Sequence, residues 1–231
     1  MMTLNLGKII DISLDLDDSK YRMHTPKGFT KDMQFAVEVL KDHDAPGGAG
    51  QIVRGVHMRL HAGSHVDAPE HMVKGGKQLH ELPLGTFAGD AVVADLRHRV
   101  PGQAITAADL ETAVGDVLQA GDRLLLRTDC NKDYYAKDWA QRSPHLTREA
   151  VQWVIDRGVV LVGFDSYHGK DAPDSNIVFY TSRTFGEHGV VTMPYLNNLD
   201  RITQRRVSLL ALPLKMIGVE ASPVRAIVVE E

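Results

Sequence analysis

The feature that most constrains the fold is an alternation in the middle of the chain. Three apolar runs, AVVADL (91–96), RLLLRTD (123–129) and VVLVGFD (159–165), are separated by two stretches in which apolar residues recur at helical spacing. In the first stretch Thr106 stands where a cap is expected, and Leu110, Ala113, Val114, Val117 and Leu118 form one stripe. The second opens near Thr147, carries Val151, Val154 and Ile155 inward, and stops at Gly158. Strands rich in β-branched and aliphatic residues that alternate with helices specify an α/β architecture. We expect a single compact domain over residues 1–231, with a mixed β core and flanking helices.

The flanks are more β-like. GKIIDISL (7–14) reads as a short strand, as do RVSLLALPL (206–214) and VRAIVVEE (224–231). Thr30 is placed to cap a short helix carrying Met33, Val37 and Leu40. DAPGGAGQ (44–51) is a loop by composition, either a connection or a lid. The net charge of −4, with no basic block beyond the Arg205–Arg206 pair, gives no nucleic-acid footprint. Cys130 is the only cysteine, so an intrachain disulfide is impossible and a reducing compartment is expected. The start of the sequence lacks the apolar region of a signal peptide, and no run is long enough to span a bilayer. A cytoplasmic location is the expectation.

The chemistry concentrates in HAGSHVDAPEH, His61 to His71. From His57 to Asp67 the odd positions read His, Arg, His, Gly, His, Asp, which is strand periodicity with one polar face. A helix would bring His61 and His65 together but turn Asp67 away. A straight strand would separate His61 from Asp67 by roughly 20 Å, too far to share an ion. The segment therefore has to bend, and Gly63 and Pro69 are the places for it. Two imidazoles and a carboxylate brought together in this way suit a divalent metal.

This stretch resembles the His-x-Gly-Thr-His-x-Asp-x-Pro-x-His signature of the metal-dependent cyclase family, which includes bacterial kynurenine formamidases and isatin hydrolases. Ser64 replaces the usual Thr. IIDIS, GDRLLLRTD, LTREAVQWVIDRGVVLVGFDS and SPVRAIVVE resemble further segments of that family. The resemblance implies a swivelling β/β/α-like fold, His61, His65 and Asp67 as metal ligands, and His71 as a catalytic histidine. It also implies zinc or manganese as the ion, and homo-oligomers such as dimers or tetramers. In formamidase-like members a His and, twelve residues later, a Glu hold a second metal. The matching stretch here, SRTFGEHGVVTMPYLNNL, puts Ser182 and Pro194 at those positions. His188, Glu187 or, in a shifted register, Asp200 could serve as a displaced ligand.

The expected activity is hydrolysis of a small amide, cyclic amide or lactone, with His71 as general acid and base near metal-activated water. The alternatives are a two-metal kynurenine formamidase proper and a non-catalytic metal- or small-molecule-binding member. An Fe(II) oxygenase, using His65, Asp67 and His188 with Arg206 and Ser208 gripping an oxo-acid, is a further one. Tyr134, Tyr135 and Trp139 are candidates for an aromatic pocket wall or for packing, and Asp165 and Ser166 for structural support. His145 and His168 are background. A Gly-x-Ser-x-Gly elbow is absent, so no serine triad is indicated.

Overall fold

The computed structural model describes residues 7–17, 35–44, 46, 50–99, 102–133, 138–167 and 179–230. In chain order the first strands are β1 (Lys8–Asp11), β2 (Phe35–Lys41), β3 (Val53–Met58) and β4 (His65–Asp67). The α/β segment follows: β5 (Ala88–Asp95), β6 (Ala104–Ile105), α1 (Ala107–Val114), β7 (Arg123–Arg127), α2 (Trp139–Arg142), β8 (His145–Leu146), α3 (Arg148–Asp156) and β9 (Leu161–Phe164). The remainder is α4 (Tyr180–Glu187), β10 (Val191–Met193), β11 (Arg206–Leu210), β12 (Ala221–Pro223) and β13 (Ile227–Glu230).

Nine strands form one mixed sheet in the order β1-β13-β11-β5-β7-β9-β10-β4-β12. Its centre, β5-β7-β9-β10, is parallel, and both flanks are antiparallel. Leu124 and Leu126 of β7 face one side and pack with Leu110 and Val114 of α1 and with Val151 and Val154 of α3. Leu125 faces the other side, in a cluster that joins Ile10 of β1 to Val66 of β4. Strands near opposite ends of the sheet share that cluster, so the sheet curls around it. The expected mixed β core with flanking helices is thus the observed α/β architecture.

Both central helices start where the caps predict. The Thr106 side chain accepts from the Asp109 N–H while the Asp109 carboxylate accepts from the Thr106 N–H, and Thr147 accepts from Ala150 N–H. Gly158 follows α3 at φ +69°. The first helix is shorter than its stripe suggests: it ends at Val114, and Val117 and Leu118 lie beyond it, past Gly115.

Two readings of the N-terminal part need correction. Val37 and Leu40 lie on strand β2, not on a helix; Thr30 and Met33 fall outside the described residues. Phe35, Val37 and Val39 also alternate, and pairing with β3 satisfies that period. The polar-faced strand expected over residues 57–67 is in fact two strands separated by a turn, with His57 on β3 and only His65–Asp67 on β4. In the β2–β3 ribbon, Phe35, Val37 and Val39 stand opposite Met58, Val56 and Arg54 on one face. Glu38 and His57 are bonded to each other on the opposite face. The loop over 44–51 joins the two strands, and residues 45 and 47–49 of it are outside the described set.

Candidate metal centre

The chain leaves β3 and folds back on itself before β4. The Ala62 N–H donates to Arg59 O, and Gly63 takes φ +61°, a conformation that strains any residue with a Cβ. A Cβ on Gly63 would also meet Leu16 Cδ2 at 2.6 Å, so the Leu16 side chain would have to move. Ser64 is buried and pins the turn: its hydroxyl donates to Tyr195 O at 2.7 Å and accepts from Leu14 N at 2.8 Å. Both bonds use only the hydroxyl that Ser shares with Thr, so its replacement of the family residue leaves this anchoring intact. After Asp67, Pro69 starts a single 3-10 turn ending at His71. The bends expected at Gly63 and Pro69 are both present.

The turn brings three donor atoms together. His61 Nδ1 lies 2.8 Å from Asp67 Oδ1 and 3.3 Å from His65 Nε2, and His65 Nε2 lies 3.2 Å from Asp67 Oδ1. Ligands about 2.0–2.1 Å from a zinc ion in tetrahedral geometry stand about 3.3 Å apart. The observed triangle has nearly that size, and its two imidazoles and one carboxylate are the donor set zinc and manganese accept. The residues therefore fit a divalent ion. The His65 ring presents Nδ1 to Gly63 O at 2.7 Å, which keeps a proton on Nδ1 and makes Nε2 the nitrogen aimed at the other two groups.

Neighbouring strands hold Asp67. It pairs with Thr192 of β10 on one side and Ala221 of β12 on the other. The Thr192 hydroxyl donates to Asp67 Oδ2 at 2.9 Å, and Glu220, next to Ala221, places Oε1 at 2.9 Å from His61 Nε2. No motif in the sequence pointed to Thr192 or Glu220. Both reach the site only through strand pairing, from positions 125 and 159 residues away from their partners.

Charges shift accordingly. Burial of Asp67 disfavours its charge, but His65 and His61 overcome this and hold its pKa well below the carboxylate range. Burial also opposes charge on His61, yet hydrogen bonds to Asp67 and Glu220 raise its pKa. His71 goes the other way: burial and the nearby His61 and His65 lower it against the pull of Asp67. Its ring lies against His61, with centroids 4.3 Å apart, at the mouth of a cleft of roughly 730 Å³. Val56 to His61 and Glu220 line the same cleft.

His188 is elsewhere. It ends α4, exposed, with Nδ1 against Thr184 O at 2.8 Å. Among the described residues the converging His and carboxylate groups are His61, His65, Asp67 and His61, His71, Glu220; neither contains His188, Glu187 or Asp200. Asp200 lies 3.6 Å from the Lys132 ammonium. Ser182 is buried on α4, and Pro194 follows β10 without a ligating group. Arg206 is bonded to Asp122 and Asp90 on β11, and the α/β sheet is not a jelly roll, so the oxygenase reading finds no support.

Trp139 is a packing residue. It is buried between Tyr195 and Tyr167 and donates Nε1–H to Cys130 O, and Tyr195 in turn lies against the His65 ring. Tyr134, Tyr135 and His168 are outside the described residues. Asp165 is buried at the end of β9 and accepts from the Thr128 N–H and hydroxyl and the Asp129 N–H. Burial pushes its pKa up to about 6 despite those bonds. It ties β9 to β7 rather than reaching the triangle.

Comparison with known proteins relates the chain to a family and to solved structures. Residues 10–169 match the model of the family described as putative cyclase. The chain belongs to that family. It is 27% identical over 197 residues to a kynurenine formamidase of Bacillus cereus, covering 85% of this chain and 88% of that one. Among solved structures it is similar to isatin hydrolase A from Ralstonia solanacearum, with a TM-score of 0.84, 25% identity, and coverage of 97% of this chain and 92% of that one. It also shares its fold with a protein of Bacillus stearothermophilus described as a predicted metal-dependent hydrolase, with a TM-score of 0.76, 22% identity, and coverage of 97% and 98%.

Proposed function

We propose that this cyclase-family member is a metal-dependent hydrolase of a small amide, cyclic amide or lactone, with residues 1–231 acting as one domain. The observation that carries the reading is the convergence of His61 Nδ1, His65 Nε2 and Asp67 Oδ1 beside an open cleft that His61 and His71 line. His61, His65 and Asp67 hold the ion, zinc or manganese. When bound, the ion activates water and polarises a carbonyl oxygen. His71 faces the cleft without belonging to the Asp67 triangle. Its lowered pKa keeps an imidazole nitrogen free at neutral pH to accept a proton and then return it to the departing nitrogen or oxygen. The apolar wall of Val56 and Met58 suits a substrate with a flat apolar body.

The named relatives act on a formamide and on isatin, and amides of that kind are the first substrates to test. One ion per chain is favoured over two. Ser182 and Pro194 offer no replacement for the usual second-site ligands, and Asp67 Oδ2 already accepts from the Thr192 hydroxyl.

A homo-oligomer, dimer or tetramer, is supported by the β2–β3 ribbon. An isolated two-stranded ribbon is marginal in water, and Val37, Val39, Val56 and Met58 leave its apolar face uncovered beside the cleft. A second copy would cover both. A cytoplasmic location is supported by the single cysteine. Among the described residues no helix is long and apolar enough to cross a membrane.

The test is turnover of a formamide, a cyclic amide and a lactone by metal-reconstituted protein. Hydrolysis of at least one, lost on chelation and in His71→Asn, is expected. Full metal occupancy with no turnover anywhere in the panel would favour a binding protein instead.

A further inference from the structure

The second cluster in the cleft, His61, His71 and Glu220, is not absorbed by the reading above. We infer that Glu220 is the positioning residue for the metal centre: it accepts the Nε2–H of His61 and thereby fixes the tautomer and ring angle that aim Nδ1 at Asp67 and His65. The inference rests on His61, His65 and Asp67 being the ligand set.

Three observations carry it. First, the His61 ring is bonded at both nitrogens, with Nδ1 2.8 Å from Asp67 Oδ1 and Nε2 2.9 Å from Glu220 Oε1. A neutral imidazole has one N–H and one bare nitrogen, and an ionised carboxylate can only accept. With an ion held at Nδ1, the one remaining proton would sit on Nε2, where Glu220 accepts it. Second, the Glu220 backbone is fixed to the strand that carries the ligands. The Ala68 N–H donates to Glu220 O at 2.8 Å, and Ala221 stands opposite Asp67 in the β12–β4 pair. The distance between the Glu220 carboxylate and the site is therefore set by sheet register. Third, His65 shows the same device in simpler form, its outer nitrogen bonded to Gly63 O. Metal-bound histidines are oriented through the nitrogen that does not bind the ion, and carboxylates serve that purpose well.

The competing arrangement would have Glu220 ligate an ion directly with His61 Nε2 and His71. The Asp67 triangle is the tighter and more buried of the two groups, and it already uses His61 through Nδ1. Substitutions separate the two arrangements, because an amide oxygen still accepts the Nε2–H but replaces a carboxylate ligand poorly.

The experiment compares wild type, Glu220→Ala, Glu220→Gln, His71→Asn and His65→Ala in zinc affinity at fixed pH, by competition with a chromogenic chelator. Circular dichroism and thermal melting of the zinc-free proteins establish that each is folded. The inference expects affinity to fall about 10–100-fold in Glu220→Ala, to recover to within a few fold of wild type in Glu220→Gln, and to stay unchanged in His71→Asn. Unchanged affinity in Glu220→Ala overturns it. So does equal loss in Glu220→Gln, Glu220→Ala and His71→Asn, which would mark direct ligation. Zinc binding absent from wild type would overturn the ligand set itself, a result distinct from a Glu220 variant that binds as wild type does.

Discussion

The Thr192→Val substitution tests how the sheet prepares Asp67 for an ion. It removes a hydroxyl that donates to Asp67 Oδ2 at 2.9 Å and puts a methyl of similar size in its place. Both residues are buried, Thr192 at 3% and Asp67 at 4% exposure, so water cannot readily substitute for the lost donor. A hydrogen bond to a charged acceptor contributes about 1.5–3 kcal/mol, and an acceptor left short of donors bears most of that loss. Val also removes no appreciable volume, so no cavity adds to the effect. About 2 kcal/mol in a chain of 231 residues lowers Tm by about 4–8 °C. Scanning calorimetry on chelator-treated protein measures this without any contribution from bound metal. Zinc affinity should fall about 10–100-fold alongside, because a partner of a ligating carboxylate is lost. Zinc stoichiometry should remain one per chain in both proteins. A Tm within 1 °C of wild type together with unchanged affinity would refute the role given to the bond. Two zinc ions per wild-type chain would refute the single-ion reading.

Other perturbations act on separate links of the account. Gly63→Ala places a Cβ at φ +61° and 2.6 Å from Leu16 Cδ2; the left-handed backbone alone costs about 1–2 kcal/mol, so both Tm and zinc affinity should fall, and an unperturbed variant would mean that the turn is not held as described. His71→Asn should retain zinc while kcat drops about 10²–10⁴-fold; loss of zinc would make His71 a ligand instead. Glu230 accepts from Thr203 and Gln204 and pairs with Lys8, and these partners hold its pKa at about 2 against an ordinary 4.5. A depressed carboxylate stabilises the fold above pH 4.5 and loses that contribution as pH falls toward 2, so denaturation curves should put wild type ahead of Glu230→Gln by up to about 3 kcal/mol at pH 7, with the gap closing near pH 2. A pH-independent gap would contradict this.

The sequence made the centre of the fold legible because local rules and the tertiary structure agree there. Thr106 and Thr147 cap their helices as their positions require, and the runs around Leu124, Val92 and Val162 are strands buried on both faces. The candidate site was legible for a different reason: His61, His65, Asp67 and His71 come from one short segment, and the strand rise alone demanded a bend. What stayed hidden depends on distant pairing. Thr192 and Glu220 reach Asp67 and His61 from β10 and from the residue before β12, and no local spacing announces either. The β2 strand was misread because Val37 and Leu40 also satisfy helical spacing in a short apolar run, where periodicity cannot decide. Helix α4 begins at Phe179 with φ +57° and no side-chain cap, and it contains Gly186, so it carries none of the usual start signals. Its Ser182 was placed by resemblance alone.

The central claim is that His61, His65 and Asp67 form a site for a single metal ion. Elemental mass spectrometry on wild-type and His65→Ala protein, purified without chelators, tests it directly. The account predicts about one zinc or manganese per wild-type chain and none in His65→Ala, with both proteins folded. A folded wild type that holds no metal, or a His65→Ala protein that holds as much as wild type, would contradict it.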